Sequence, residues 1–440
     1  MLVAFDDTDS LESMCTTFLA TEIIRALRAY DLIGPPRLVR LNPAVPWKTR
    51  GNGALCLRFG VGRGGCQMIG EVDGFPVYSY ERTYEDADRP TVTRVCKSVV
   101  TKWSRTTEGA SPGLVTSSKR PAPGLYWRTV RDVVRKEDAL KELERVGAEA
   151  IGWEGGRGII GASAAMAWRP RDRTYEIITY RRPEVWGTPR DIDDLSVRDM
   201  DLRYPSTFNN FDHHRGRRAI SPHTPCPVLF GVRGDDPSEL MHATFSVRSE
   251  RPARWLMFLS NQGTDDHLVR SVPGQPGRSY DFQCTVAGLP RAMAGGHVIL
   301  PVSTSKGALD CAAYEPSKEF REVVRALRPG DVVRVMGELR AKPRTLNLEK
   351  LQAIALVEER RKVSNPRCPH CGGATKSLGS AGGHRCKRCG KRNDLPAMTE
   401  TVPRGISPGW YEPPVCARRH LSKPLKRMGP TSTVVNPYRQ

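Results

Sequence analysis

LVAFDDTDSLESMCTT, residues 2–17, sets the fold class. Residues 2–6 are an apolar run closing on acids, the form of a short buried strand. The pattern then changes period, with Leu19, Ile23, Ile24 and Leu27 on one face of a helix expected over 14–30. Strand, acidic loop and amphipathic helix in that order begin an α/β unit. Asp6, Asp7 and Asp9 place three carboxylates where the strand opens into the loop. Mg²⁺ prefers a few carboxylates together with phosphate oxygens and water, so the cluster is a candidate Mg²⁺ site. A helix N-cap with a solvated loop fits the same spacing. Backbone N–H groups at the helix start can hold phosphate, and a hydroxyl there can cap the helix or be phosphorylated.

Outward from this stretch, residues 37–41 and 54–59 read as strands around the loop PAVPWKTRGNG (43–53), which carries Lys48 and Arg50. Residues 60–135 are rich in Gly, Arg, Ser and Thr and show no motif. Residues 136–150 read as a helix, 156–168 as a glycine turn entering a helix, and 175–181 as a strand. Gly156, Gly158 and Gly161 fit GxGxxG, but no clear strand precedes them, so they are read as a turn that packs the helix. No GxxxxGK[ST] occurs, so an ATP site would be unconventional. A second α/β unit follows, with strands at 226–232 and 255–260 around a helix at 237–247. Beyond a basic linker at 269–278, short strands at 280–288, 297–303, 308–314, 331–339 and 349–357, with a helix near 317–327, suit an OB-type barrel.

Cys368-Pro-His-Cys371 and Cys386-Lys-Arg-Cys389, fourteen residues apart, are the ligand pattern of a closed tetrahedral zinc site. Four thiolates leave no open position, so the Zn²⁺ is structural. Lys387 and Arg388 beside the knuckle suit nucleic-acid phosphates. Downstream, Trp410 precedes the basic run holding Arg418, Arg419, His420 and Lys423. Aromatics that stack bases beside cations that meet phosphates suit single-stranded RNA, and a solvated tail has the same composition.

The 440-residue chain has 68 Lys and Arg against 48 Asp and Glu, a net +20 that favours a polyanionic partner. No run approaches a membrane span, and MLVAFDDTDS has acids where a signal peptide has bases, so a cytoplasmic location is expected. Twelve cysteines are too sparse for a disulfide scaffold.

DDTDS (6–10), MCTT (14–17), RLNPAVPWKTRGNGA (40–54), GRGIIGA (156–162), RYPSTFNN (203–210), HTPCPVLFGVRGD (223–235), GGH (295–297), the two CxxC pairs and ARRHLSKPL (417–425) together resemble the archaeal tRNA 2-agmatinylcytidine synthetases, in the right order over most of the chain. Ser13 departs from the glycine expected before MCTT. The resemblance implies a multidomain α/β and α+β architecture: a kinase-like catalytic region over 1–190, a ferredoxin-like domain over 191–275, an OB-fold over 276–360, a zinc ribbon over 361–395 and a basic RNA-binding tail over 396–440. It implies a ligase that conjugates agmatine to the 2-position of the wobble cytidine in the CAU anticodon of an isoleucine tRNA, so that AUA is read as isoleucine, with ATP consumed to AMP and phosphates. Thr16 would be autophosphorylated, Asp6, Asp7 and Asp9 would hold Mg-ATP, and Lys48 and Arg50 are candidates for phosphate contacts. The guanidinium of agmatine calls for an acid, for which Asp201, Asp265 and Asp266 are candidates. The competing classes are a non-catalytic RNA-binding protein and a nucleic-acid ligase or helicase-like factor. ATP use that depends on tRNA separates enzyme from binder.

Overall fold

The computed structural model describes residues 1–48, 51–379 and 382–429. Strand β1 (Leu2–Asp6) lies between β4 (Gly53–Val72) and β6 (Gly113–Ser117), antiparallel to both. Its alternation divides two cores. Val3 and Phe5 join Leu19 and Ile23 of helix α1 (Thr16–Ala26) on one face. Leu2 and Ala4 join Leu125 of α2 (Pro123–Arg131) and Ala162 and Ala165 of α3 (Gly158–Ala167) on the other.

The sheet has ten strands. From β4 it runs through β3 (Arg37–Arg40) to a strand at Arg254–Ser260, then to Thr174–Tyr180 and Val228–Gly234. Thr174–Tyr180 pairs only with strands beyond residue 190, so the sheet is continuous across that position. The strand expected at 54–59 is twenty residues long. It forms a hairpin with Phe75–Asp86 through Asp73 and Gly74, both at positive φ, which suits a two-residue turn. A further helix at Arg89–Trp103 fills part of the segment that carries no motif.

Strands Ser279–Val286, Val332–Leu339, Thr345–Ala355, Gly307–Ala313 and Val298–Thr304 pair in that order, and the last pairs back to the first, closing a five-stranded barrel. Val298, Leu300, Val335, Leu346 and Leu351 fill it. The ribbon is an insertion: strand Glu359–Ser364 leads out of the barrel and Met398–Val402 returns beside it, antiparallel. The chain then adds Gly409–Tyr411 to the edge of Thr345–Ala355 and runs back over the α/β unit.

Among the described residues this last stretch, expected as part of a basic RNA-binding tail over 396–440, packs on the body of the fold as a strap. Its cations bind groups of the body and of the strap itself. Lys423 Nζ is 2.8 Å from Asp172, Arg427 pairs with Asp172 and Asp235, and Arg418 bonds Asn209 and Glu412. Arg419 pairs with barrel residues Glu338 and Glu349. Glu349 also accepts from His267 of the α/β unit at 2.8 Å, so one buried carboxylate ties barrel, α/β unit and strap together. Trp410 is buried under the Arg334 guanidinium and offers no open face to a base. Among the described residues no helix is long and apolar enough to cross a membrane.

Candidate functional site

The ends of β1, β3 and α3 open on a cavity of about 470 Å³, roofed by the strap. Asp6, Asp7, Asp9, Thr16 and Lys48 all line it. Arg50 lies outside the described residues.

The acid loop is built on strained backbone. Asp7 (φ 57°) and Met14 (φ 64°) occupy the left-handed region at either end of the loop, a conformation that costs energy for non-glycine residues and clusters at functional sites. The glycines of the 156–161 turn bring α3 against β1. A Cβ on Gly161 would stand 1.8 Å from Asp6 Oδ2, and one on Gly158 2.4 Å from Asp6 O. The GxGxxG is thus a device for packing helix on strand. Arg157, just before α3, donates to Asp7 at 2.9 and 2.6 Å. Burial, and after it repulsion from Asp7, pushes the Asp6 carboxyl well above the usual carboxylate range. Burial also raises Asp7, against the opposing pull of Arg157. A pair of carboxyls held above their ordinary values is short of positive charge, which suits a cation arriving with a ligand.

Thr16 and Thr17 open α1, and both are buried at the cavity wall. Cys15 holds the N-cap position and no side chain caps the helix, so the Thr16 hydroxyl is not a cap. It lies 3.2 Å from Thr8 Oγ1, whereas Thr17 Oγ1 lies 3.1 Å from Cys15 Sγ. N–H groups in the first turn of a helix lack partners one turn back, and Cys15, Thr16 and Thr17 line the same cavity as Asp6, Asp7 and Asp9.

The same cavity is also lined by Arg40, Glu176 and Arg233, which the sequence did not single out. Glu176 is buried, with Arg233 Nε at 3.0 Å and Arg40 Nη2 at 3.8 Å. His420 enters from the strap. Burial first, then Arg40 and Arg233, hold its imidazole well below its ordinary value, so it is neutral at physiological pH. Arg40 and Arg233 stand in stretches 40–54 and 223–235, but no spacing rule joins residues almost two hundred positions apart. Lys48 donates to Pro43 O, and burial, then Arg419, lowers its ammonium below the usual value.

The three acids offered for agmatine do not line the cavity. Asp201 accepts from His213 at 2.7 Å and from Asn210. Asp265 accepts from buried Lys350 at 2.9 Å and from Lys423 N. Asp266 accepts from Tyr126 at 2.6 Å. Each already accepts hydrogen bonds within the fold.

In the ribbon, Sγ of Cys368 and Cys389 are 3.6 Å apart and those of Cys371 and Cys386 3.5 Å, with all four atoms within 4.8 Å of one another. A tetrahedron with Zn–S of about 2.3 Å has edges of about 3.8 Å, so the thiolates fit Zn²⁺. Among the described residues this is the group of three or more candidate ligands that converges on one point. Lys387 and Arg388 are exposed beside it.

Fold and cavity define the class: a mixed α/β body with an acidic, helix-terminus cavity suited to a nucleotide's phosphates, joined to a five-stranded barrel and a four-thiolate ribbon. Family models agree along the chain: the TiaS TCKD domain matches residues 2–155, the TiaS FLD domain 156–267 and the TiaS C-terminal zinc ribbon domain 365–406. A relative from Methanocaldococcus jannaschii, the isoleucine-tRNA 2-agmatinylcytidine synthetase TiaS, is 37% identical, with 97% of this chain and 98% of the relative covered. A solved complex of TiaS with its isoleucine tRNA and ATP is similar at 37% identity and TM-score 0.84, covering 97% of each chain. A complex of TiaS with the same tRNA, AMPCPP and agmatine is similar at 34% identity and TM-score 0.82, with the same coverage. The chain belongs to the TiaS family.

Proposed function

We propose that this protein conjugates agmatine to the 2-position of the wobble cytidine in the CAU anticodon of an isoleucine tRNA, giving agmatidine, as an ATP-dependent ligase of the cytoplasm. The observation that carries the reading is one cavity lined both by acids with a helix start and by Arg40, Arg233 and His420. The relative's name, and the tRNA, ATP analogue and agmatine in the solved complexes of related proteins, support it.

A ring carbonyl oxygen is a poor leaving group. Phosphoryl transfer to it makes it a good one. The amine of agmatine then attacks C2, the C2–O bond breaks, phosphate departs with the oxygen and the amine releases its proton. Asp6, Asp7 and Asp9 would hold Mg²⁺, which supplies positive charge to the nucleotide's phosphates. The N-terminus of α1 binds phosphate oxygens, and Thr16 presents the hydroxyl that accepts phosphate. In this reading the early α/β region is kinase-like, the later one ferredoxin-like, and the barrel an OB-type grip on nucleic acid. Lys387 and Arg388 of the ribbon meet tRNA phosphates.

The test incubates the protein with CAU-anticodon tRNA, ATP and labelled agmatine. Label enters the RNA only when ATP is present. No label in the RNA, with ATP intact, refutes the reading.

A further inference from the structure

The cationic part of the cavity lining is ordered as a relay. Gln262 stands between Glu176 and His420. Its Nε2 donates to Glu176 Oε2, and its Oε1 lies 3.2 Å from His420 Nδ1. The carboxylate is held as an acceptor by Arg233 at 3.0 Å, with Arg40 at 3.8 Å. An acceptor-only group must face the amide nitrogen, so the amide oxygen faces the imidazole. His420 Nδ1 therefore carries the proton and Nε2 presents a lone pair. The other tautomer would set Nδ1 against Oε1, and turning the amide to relieve that would set Oε1 against the carboxylate.

Arg40 lies beside that lone pair. A Cβ on Gly51 would stand 2.5 Å from Arg40 Nη1 and 3.1 Å from His420 Nε2, so both atoms border one corner that Gly51 keeps open. Among the described residues Arg40 Nη1 makes one long 3.5 Å bond there, to Gly51 O, which leaves it free to donate to a ligand. The corner thus offers one acceptor next to cationic donors. Burial, and after it the two guanidiniums, make His420 a weak base, so its role is to accept a hydrogen bond rather than to take a proton.

We propose that His420 and Arg40 read the Watson–Crick edge of a cytosine drawn into the cavity, with Gln262 and Glu176 as positioning residues that lock the imidazole tautomer. Cytosine presents an amino donor at N4 beside acceptors at N3 and O2, the complement of this corner. Uracil would turn its O4 lone pairs on Nε2. Agmatine, a cation, is repelled by Arg40 and Arg233. Adenine shares the donor–acceptor pair but lacks the second acceptor. The inference rests on the agmatine-conjugating reading and adds the residues that choose the base.

The test compares isoleucine tRNA transcripts with CAU and UAU anticodons, measuring labelled-agmatine incorporation and, separately, ATP affinity by calorimetry. Wild-type protein labels the CAU transcript and discriminates against UAU. His420→Ala lowers the CAU rate by about ten- to a hundredfold, as loss of a base-edge contact does, with ATP affinity kept within about twofold. Gly51→Ala, which removes no polar group, fills the corner and lowers the CAU rate in the same way. Glu176→Gln narrows the preference for CAU over UAU by about tenfold, a change of specificity that loss of folded protein alone would not give. A His420→Ala protein with unchanged CAU rate and unchanged discrimination overturns the proposal. So does a matching fall in ATP affinity, which would make the corner the seat of adenine. Wild-type protein that labels neither transcript overturns the parent reading, and this one with it.

Discussion

Replacing Glu349 by Gln removes one carboxylate that three segments share. Glu349 stands on barrel strand Thr345–Ala355, 2.8 Å from His267 Nε2 and 3.2 Å from Arg419 Nε of the strap. Burial alone would raise its carboxyl, but Arg419 and then His267 outweigh burial and bring it from 4.5 to about 2. At about 1.36 kcal/mol per pH unit, that difference is worth about 3 kcal/mol of stability. The sign follows from a depressed folded value. The contribution is complete above pH 4.5 and is lost as the pH falls toward 2. Glu349→Gln should therefore be about 3 kcal/mol less stable at pH 7, within the range for breaking a buried ion pair. The gap to wild type should close as the pH falls from 5 to 2. Urea unfolding followed by tryptophan fluorescence across that range measures it, and limited proteolysis reports whether the strap has come free. A gap that stays constant from pH 7 to pH 3, or a variant as stable as wild type at pH 7, would refute the argument.

Asp6→Asn should abolish ATP use yet raise the melting temperature of the nucleotide-free protein at pH 7. A carboxyl raised in the folded state loses stability as pH rises above its ordinary value, and the amide removes that loss; a lower melting temperature would count against it. Thr16→Ala should cost less than the ~1 kcal/mol of a lost cap, because Thr16 caps nothing, and should end both self-phosphorylation and agmatine incorporation. Thr17→Ala should keep most of both, and phosphate found on Thr17 by peptide mass spectrometry would reverse the assignment. Freshly purified protein should hold about one Zn²⁺ per chain, and Cys368→Ser should release it while the barrel and α/β unit keep their melting transition, since the ribbon is an insertion between two paired strands. Metal analysis and calorimetry read the two parts.

The readable parts of the chain were those whose meaning is local. The run from Leu2 to Thr17 carries its strand and helix periods in adjacent residues, and the two CxxC pairs carry their own geometry. Barrel strand Val298–Thr304 alternates because one face is packed, as at Val298, Leu300 and Val302. The long hairpin was hidden because residues 61–67 of its first strand face solvent or are only half covered, and Gly62, Gly64 and Gly65 erase the alternation there. The strap's place in the fold was hidden for a different reason. Arg418, Arg419, Lys423 and Arg427 pair with groups up to 255 residues away, so nothing in the basic stretch's own neighbours shows that it packs on the body of the fold. Asp201, Asp265 and Asp266 are the mirror case, acids whose partners cannot be seen from their neighbours in sequence.

The strap also fixes a temporal order. His420, Arg418 and Arg419 come after every other cavity-lining residue, beyond the barrel and the ribbon. During synthesis the acids, Arg40 and Arg233 of the cavity, the barrel and the thiolate ribbon can all form while the strap's share of the wall is still inside the ribosome. Chemistry at this site is thereby reserved for molecules translated past the strap, and a product cut short before it retains the barrel and ribbon but lacks part of the cavity wall.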